Sequence, residues 1–162
     1  MVTWKQFREV QPELAEMGRS MYYQWNIGLA FLGTTRKDGA PRVHPVCPVA
    51  TDDGMYVFIQ PGPKLDDLRR DPRYALHCET YAPPRHDDGF LLSGRVGVIT
   101  DASVVERTSR QLFAERDTSD PWPGFNENVL VELMVDRALL MLTEPIAPFP
   151  KGPTAWRPPS PT

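Results

Sequence analysis

Two Asp-Gly pairs, Asp38-Gly39 and Asp53-Gly54, separate three short strand-like runs: Gly28–Thr35, Arg42–Ala50 and Met55–Gln60. Asp-Gly supplies the positive φ that a tight hairpin turn requires. Strands joined by turns this short can only run antiparallel, so the three runs are expected to form a meander. Few other features constrain the fold of this chain as strongly.

The rest of the chain extends the pattern. Pro61-Gly62-Pro63 breaks the third run, and Lys64–Arg70 reads as a two-turn helix with Pro63 at its first position. Asp71-Pro72 stops that helix. Arg73–Tyr81 and Phe90–Thr100 read as a fourth and a fifth strand, with Gly94 and Gly97 marking bulges or close approaches in the latter. Asp101–Arg116 is a polar helix started by Thr100 or Asp101. In Val129–Thr143, Val129, Val131, Leu133 and Val135 alternate with their neighbours, a strand rhythm, and Asp136-Arg137 is a place where it can bend. Upstream, Thr3 caps a short helix carrying Trp4 and Phe7, and Pro12 opens a second helix with Leu14, Met17 and Met21 on one face.

The predicted fold is mainly β (α+β): a six-stranded antiparallel split barrel with a few short peripheral helices. It forms one domain over residues 1–162, with a core from about 22 to 143 and a proline-rich tail from 145 to 162. The chain has 162 residues, the usual size of one domain, and 18 prolines, about twice the ordinary share. Seven of those prolines lie at or beyond Pro145, so the tail is expected to be extended rather than helical.

Net charge is −3, which implies no broad basic surface and argues against a nucleic-acid partner. No apolar run approaches the ~20 residues that cross a bilayer, so no membrane association is expected. The first residues are too polar for a signal peptide, and two cysteines, Cys47 and Cys78, make no disulfide framework. The expected location is the cytoplasm.

Chemistry concentrates in one place. Arg42 and His44 are two apart on a strand and share a face, and Lys64 opens the helix after the neighbouring strand. A helix N-terminus offers free N–H groups, and lysine and arginine beside it make a phosphate clamp. The competing reading makes Arg42 and Lys64 surface charges balanced by Asp66 and Asp67. His44 and Cys47 lie three apart and face opposite sides, and there is no CxxC or HxxxH, which argues against zinc. Ser93, Cys47 and Cys78 lack a nucleophile signature, and strand cysteines usually serve as small buried hydrophobes. Trp122, Phe125 and Trp156 either cover a core edge or stack on a planar ring. A chain without its own acid–base pair or metal usually borrows its chemistry from a cofactor.

LAFLGTTRKDGAPRVHPV, DGMYVFIQ and KLDDLRRDPRYAL, in this order, resemble the pyridoxamine 5′-phosphate oxidase-like proteins, the flavin-binding split-barrel family. The likeness runs from about Tyr22 to Thr143. It implies a homodimer with a cofactor at each of two sites on the subunit interface and a small-molecule substrate. It places Arg42, Val43, His44, Pro45, Val46, Ile59 and Gln60 beside the cofactor and puts Lys64 on its phosphate. It implies that the partner adds later residues, for which Trp122, Arg137 and Trp156 are candidates. The C-terminal PFPKGPTAWRPPSPT lacks the histidine that vitamin B6 oxidases carry there, which argues against that substrate. Gln60–Lys64 also departs from the Ser/Arg-Lys phosphate motif, so one phosphate ligand is missing. The implied function is an FMN-binding oxidoreductase, the alternatives being a reductase that uses the deazaflavin coenzyme F-420 or a non-catalytic flavin- or haem-binding protein. No catalytic side chain is identified.

Overall fold

A computed structural model describes residues 1–160; the last two residues of the expected tail, 161 and 162, lie outside the described residues. The helices are α1 (Trp4–Val10), α2 (Pro12–Tyr22), α3 (Pro63–Arg70) and α4 (Ala102–Glu115). The strands are β1 (Ala30–Thr35), β2 (Pro41–Val46), β3 (Pro48–Ala50), β4 (Met55–Ile59), β5 (Arg73–Cys78), β6 (Gly89–Val98), β7 (Val129–Met141) and β8 (Thr154–Trp156). The sheet is antiparallel and curls into a half-barrel in the order β2-β1-β5-β6-β7-β4-β3, with β8 added on β7.

Among the described residues the strand count is therefore eight and not six, for two reasons. The expected second strand, Arg42–Ala50, is broken at Cys47 between Pro45 and Pro48. Proline cannot donate to a ladder, so β2 pairs with β1 while β3 leaves for β4 at the other end of the sheet. The simple meander is thus replaced by a chain that crosses the open side of the barrel at Cys47. The second reason is the tail, where Thr154–Trp156 pairs with Leu140–Ala138 as a short strand.

The other elements follow the sequence closely. Thr3 makes a full capping box with Gln6, and Asp101 caps α4 by accepting from the Ser103 N–H. Gly39 turns the first hairpin at φ +85°. The expected bend in the last long run is a bulge: Ser93 faces Arg137 and Gly94 faces Val135, so Asp136 is the extra residue on β7. Gly94 has no room for a side chain there, because a Cβ would stand 1.9 Å from the Met134 carbonyl oxygen.

The core fills the concave face of the sheet. Trp4 and Phe7 of α1, and Leu14, Met21 and Tyr22 of α2, close it against Leu32, Leu76, Phe90, Leu92, Leu133 and Val135. A second, smaller cluster of Val49, Leu112 and Phe125 lies under α4, with Phe58, Phe113 and Cys47 packed against it. This cluster underlies the candidate site. Among the described residues, no helix is long and apolar enough to cross a membrane.

Candidate functional site

β2 alternates as its period requires. Arg42, His44 and Val46 turn toward the protein, and Val43 and Pro45 face out. Arg42 and His44 share a face as expected, but Arg42 is not a free cation. Its Nε donates to Asp67 Oδ2 at 2.7 Å, and Asp67 also accepts from Thr34 Oγ1 and from Arg70. Burial raises the Asp67 carboxyl, but the hydrogen bonds from Arg42, Thr34 and Arg70 outweigh it and hold the group below its ordinary value. Charge balance by Asp67, the competing reading of the sequence, describes Arg42.

His44 sits between these charges. Burial lowers its pKa from 6.5, and Lys64 and Arg42 lower it further against the pull of Asp67. Its Nε2 is buried and has no hydrogen-bond partner. Arg42, His44 and Lys64 therefore do form one neighbourhood, held between β2 and α3.

Lys64 is different from Arg42. It is half-buried at the second position of α3, and burial lowers its pKa from 10.5 while the nearby Cys47 opposes that shift. The first hydrogen-bonded amide of α3 is that of Asp66, donating to Gly62 O, so the N–H groups of Lys64 and Leu65 have no partner within the helix. Lys64 lines a cavity of about 270 Å³ together with Pro45, Val46 and Cys47 from the β2–β3 crossing and with Phe58 and Gln60 from the end of β4. Leu112 and Arg116 of the α4 segment, Trp122 and Asn128 complete it.

α4 reaches this cavity for a reason visible in its spacing. Thr108 and Leu112 are its buried positions, and Arg116 is the next residue on that stripe. Gln111 clamps the helix by donating to the Ala50 carbonyl at 2.9 Å, and Glu115 accepts from Tyr23 Oη at 3.1 Å. The Arg116 guanidinium donates to Cys47 Sγ at 2.6 Å and stands 5.5 Å from the centre of the Trp122 ring. Trp122 in turn packs on Phe113 and Phe125. The buried Asn128 Oδ1 has no hydrogen-bond partner.

Of the eleven residues expected from the sequence, the cavity gathers Pro45, Val46, Gln60, Lys64 and Trp122. Arg42 and His44 adjoin it through the Asp67 network and Lys64. Val43 points outward and is well exposed, and Ile59 is fully buried in the core. Arg137 and Trp156 sit elsewhere in the chain. Arg137 is eight residues along β7 from Val129, about 26 Å at the usual strand rise. Trp156 packs on Phe7, with ring centroids 4.7 Å apart.

Sequence reasoning missed Cys47, Phe58, Leu112, Arg116 and Asn128. The readable signal for Arg116 was a cation continuing the Thr108–Leu112 stripe at four-residue spacing. Cys47 was read as a small buried hydrophobe on a strand, which fits Cys78, fully buried in β5; Cys47 packs on the smaller apolar cluster but lies between strands and is only partly buried.

Larger surface depressions exist, but their arginines are already engaged. One of about 490 Å³ beside α1 holds Arg8 paired with Asp52. Another of about 650 Å³ holds Arg36 paired with Asp38, and Arg42 and Arg70 paired with Asp67. Among the described residues, Lys64 and Arg116 have no such acid.

Similarity to known proteins agrees with this architecture. Among solved structures, an F420 reductase superposes with a TM-score of 0.55 at 16% identity, over 68% of this chain and 87% of the other. A NimC/NimA family protein from Clostridium acetobutylicum gives 0.57 at 14% identity, over 77% and 86%. A haem-binding protein from Mycobacterium smegmatis gives 0.61 at 12% identity, over 86% of this chain but only 57% of its own. At these identities the likeness is one of fold. No curated protein matches. The sequence profile of the pyridoxamine 5′-phosphate oxidase family matches residues 25–141, from just after α2 through β7. The chain belongs to the pyridoxamine 5′-phosphate oxidase family.

Proposed function

We propose that this protein is an FMN-binding oxidoreductase that moves hydride to or from a small substrate, and that it works as a homodimer. The observation that carries the reading is the cavity where α3 begins: a half-buried lysine without an acid, free amides at a helix N-terminus, and aromatic walls. These donors fit the group. Lys64 and the adjacent amides suit a phosphate. The unpartnered Asn128 Oδ1 suits a donor such as a hydroxyl or ring N–H, and the unpartnered His44 Nε2 suits a polar contact beside β2. Phe58 and Trp122 offer apolar surface to a planar ring.

Bound flavin supplies the hydride chemistry, and the chain supplies position. The β2 backbone between Arg42 and Val46 gives an edge along which a planar group can lie. Arg137 and Trp156, remote from the cavity in one protomer, are candidates for a partner's site.

A reductase using the deazaflavin coenzyme F-420 is the second reading, favoured by the fold shared with an F420 reductase. The experiment is to record the absorption spectrum and mass of any small molecule that co-purifies, and then to titrate the emptied protein with FMN. A flavin spectrum and saturable FMN binding by a dimer in light scattering are expected. A deazaflavin in its place would establish the second reading, and a monomer that binds neither would overturn both.

A further inference from the structure

We propose that Arg116, at the end of α4, is the second cation of a terminal-phosphate site shared with Lys64, and that this pair selects a phosphomonoester over a phosphodiester. The inference rests on the flavin reading above and narrows it to one class of ligand end group.

The argument begins with charge. Lys64 and Arg116 come from different helices, line one cavity and flank the same thiol, Cys47. Among the described residues, neither is ion-paired and no carboxylate lines the cavity. Every arginine bordering the depressions of about 490 and 650 Å³ is ion-paired to an aspartate. Two unbalanced cations on one small cavity suit a ligand group with about two negative charges. A terminal phosphomonoester carries roughly −1.5 to −2 near neutral pH. A phosphodiester carries one.

Geometry agrees. Arg116 has five N–H donors, and its contact with Cys47 leaves the others for an incoming oxygen. Its plane is steadied by the Trp122 ring, and its backbone by the stripe that buries Leu112. At about 270 Å³ the cavity is smaller than the roughly 300–1,000 Å³ of a site that encloses a whole ligand. It therefore encloses part of a longer molecule, the phosphate end included. Arg116 also answers the departure in the Gln60–Lys64 segment: the phosphate ligand missing from that segment is supplied from α4.

The test compares FMN, riboflavin and coenzyme F-420 binding to the full-length protein, measured by fluorescence titration for the wild type, Arg116→Gln, Arg116→Lys and Lys64→Gln. Arg116 is exposed, so its variants are expected to fold, with circular dichroism as the check. The wild type is expected to bind FMN at least 30-fold more tightly than riboflavin. Arg116→Gln should cut that ratio about tenfold with riboflavin affinity unchanged, and Arg116→Lys should keep most of it. Inorganic phosphate should compete with FMN in the wild type and lose that ability in Arg116→Gln. An FMN-to-riboflavin ratio identical in wild type and Arg116→Gln overturns the inference and leaves the flavin reading standing. Tighter binding of F-420 than of FMN also overturns it, in favour of the deazaflavin reading. Failure of all three ligands to bind the wild type removes both the inference and the flavin reading.

Discussion

Arg42 on β2 and Asp67 on α3 form a partly buried ion pair, Nε to Oδ2 at 2.7 Å, that ties the first hairpin to the helix opened by Lys64. The pair spans the two elements that border the candidate site. It explains why two basic residues of similar promise in the sequence have different roles. Arg42 holds the scaffold, while Lys64 is left without a partner and faces the cavity.

Asp67 is expected to be a stability residue with a defined pH dependence. Asp67→Asn leaves Arg42 and Arg70 uncompensated and should cost about 2–3 kcal/mol at pH 7, below the full value for a deeply buried pair because both arginines reach solvent. The folded-state carboxyl is held below its ordinary value of 3.8, so its contribution is present above that value and is lost as pH falls through the lower folded one. Urea denaturation at pH 7 and at pH 3.5 should therefore show a smaller penalty at the acid end.

His44 has the same sign by a different route. Burial and the neighbouring cations favour its neutral form in the folded protein. Its contribution is complete above the ordinary value of 6.5 and declines as pH falls through the depressed folded value. The wild type should lose more thermal stability between pH 7.5 and 5.5 than His44→Gln does. Equal losses would show that His44 is not the group titrating.

The β6–β7 bulge offers a steric test with an internal control. Gly94→Ala places a Cβ against a backbone oxygen that cannot rotate away and is expected to cost about 3 kcal/mol or more. Gly97→Ala, three residues along the same strand, meets nothing within 4 Å and should stay within about 0.5 kcal/mol of wild type. Melting temperatures of the two variants check the contrast.

Trp156 is expected to act on stability. Trp156→Ala removes the contact with Phe7 and should cost roughly 3 kcal/mol, the low end for a large aromatic because the ring is only partly buried. At a partner's site, as proposed above, its loss should also weaken FMN binding per folded molecule. An affinity changed less than twofold would confine Trp156 to a structural role.

Much of the site was legible because local rules governed it. The shared face of Arg42 and His44 follows from strand periodicity, and the position of Lys64 follows from Pro63 at the start of a helix. Asn128 was not legible, and the four-residue spacing that places Arg116 on the Leu112 stripe does not say what that stripe packs on. Both residues lie far from β2 in the chain, and only the docking of α4 over β3, through Gln111 and Leu112, brings them to Lys64. The Arg42–Asp67 pairing was weighed as charge balance, but no spacing rule reaches from a strand to a following helix.

The same division holds for the whole molecule. Turns, caps and alternation depend on residues within a few positions of one another, so Asp38-Gly39, Thr3, Asp101 and the rhythm of Val129–Met141 could be read directly from the chain. Strand order could not. Whether Val46 and Pro48 belong to one strand or to opposite ends of a sheet depends on which partners bury the apolar faces of β1 and β4, and on two prolines that deny a continuous ladder. That competition is settled only when the curled sheet closes around its core. Its result is the crossing at Cys47, where the cavity lies.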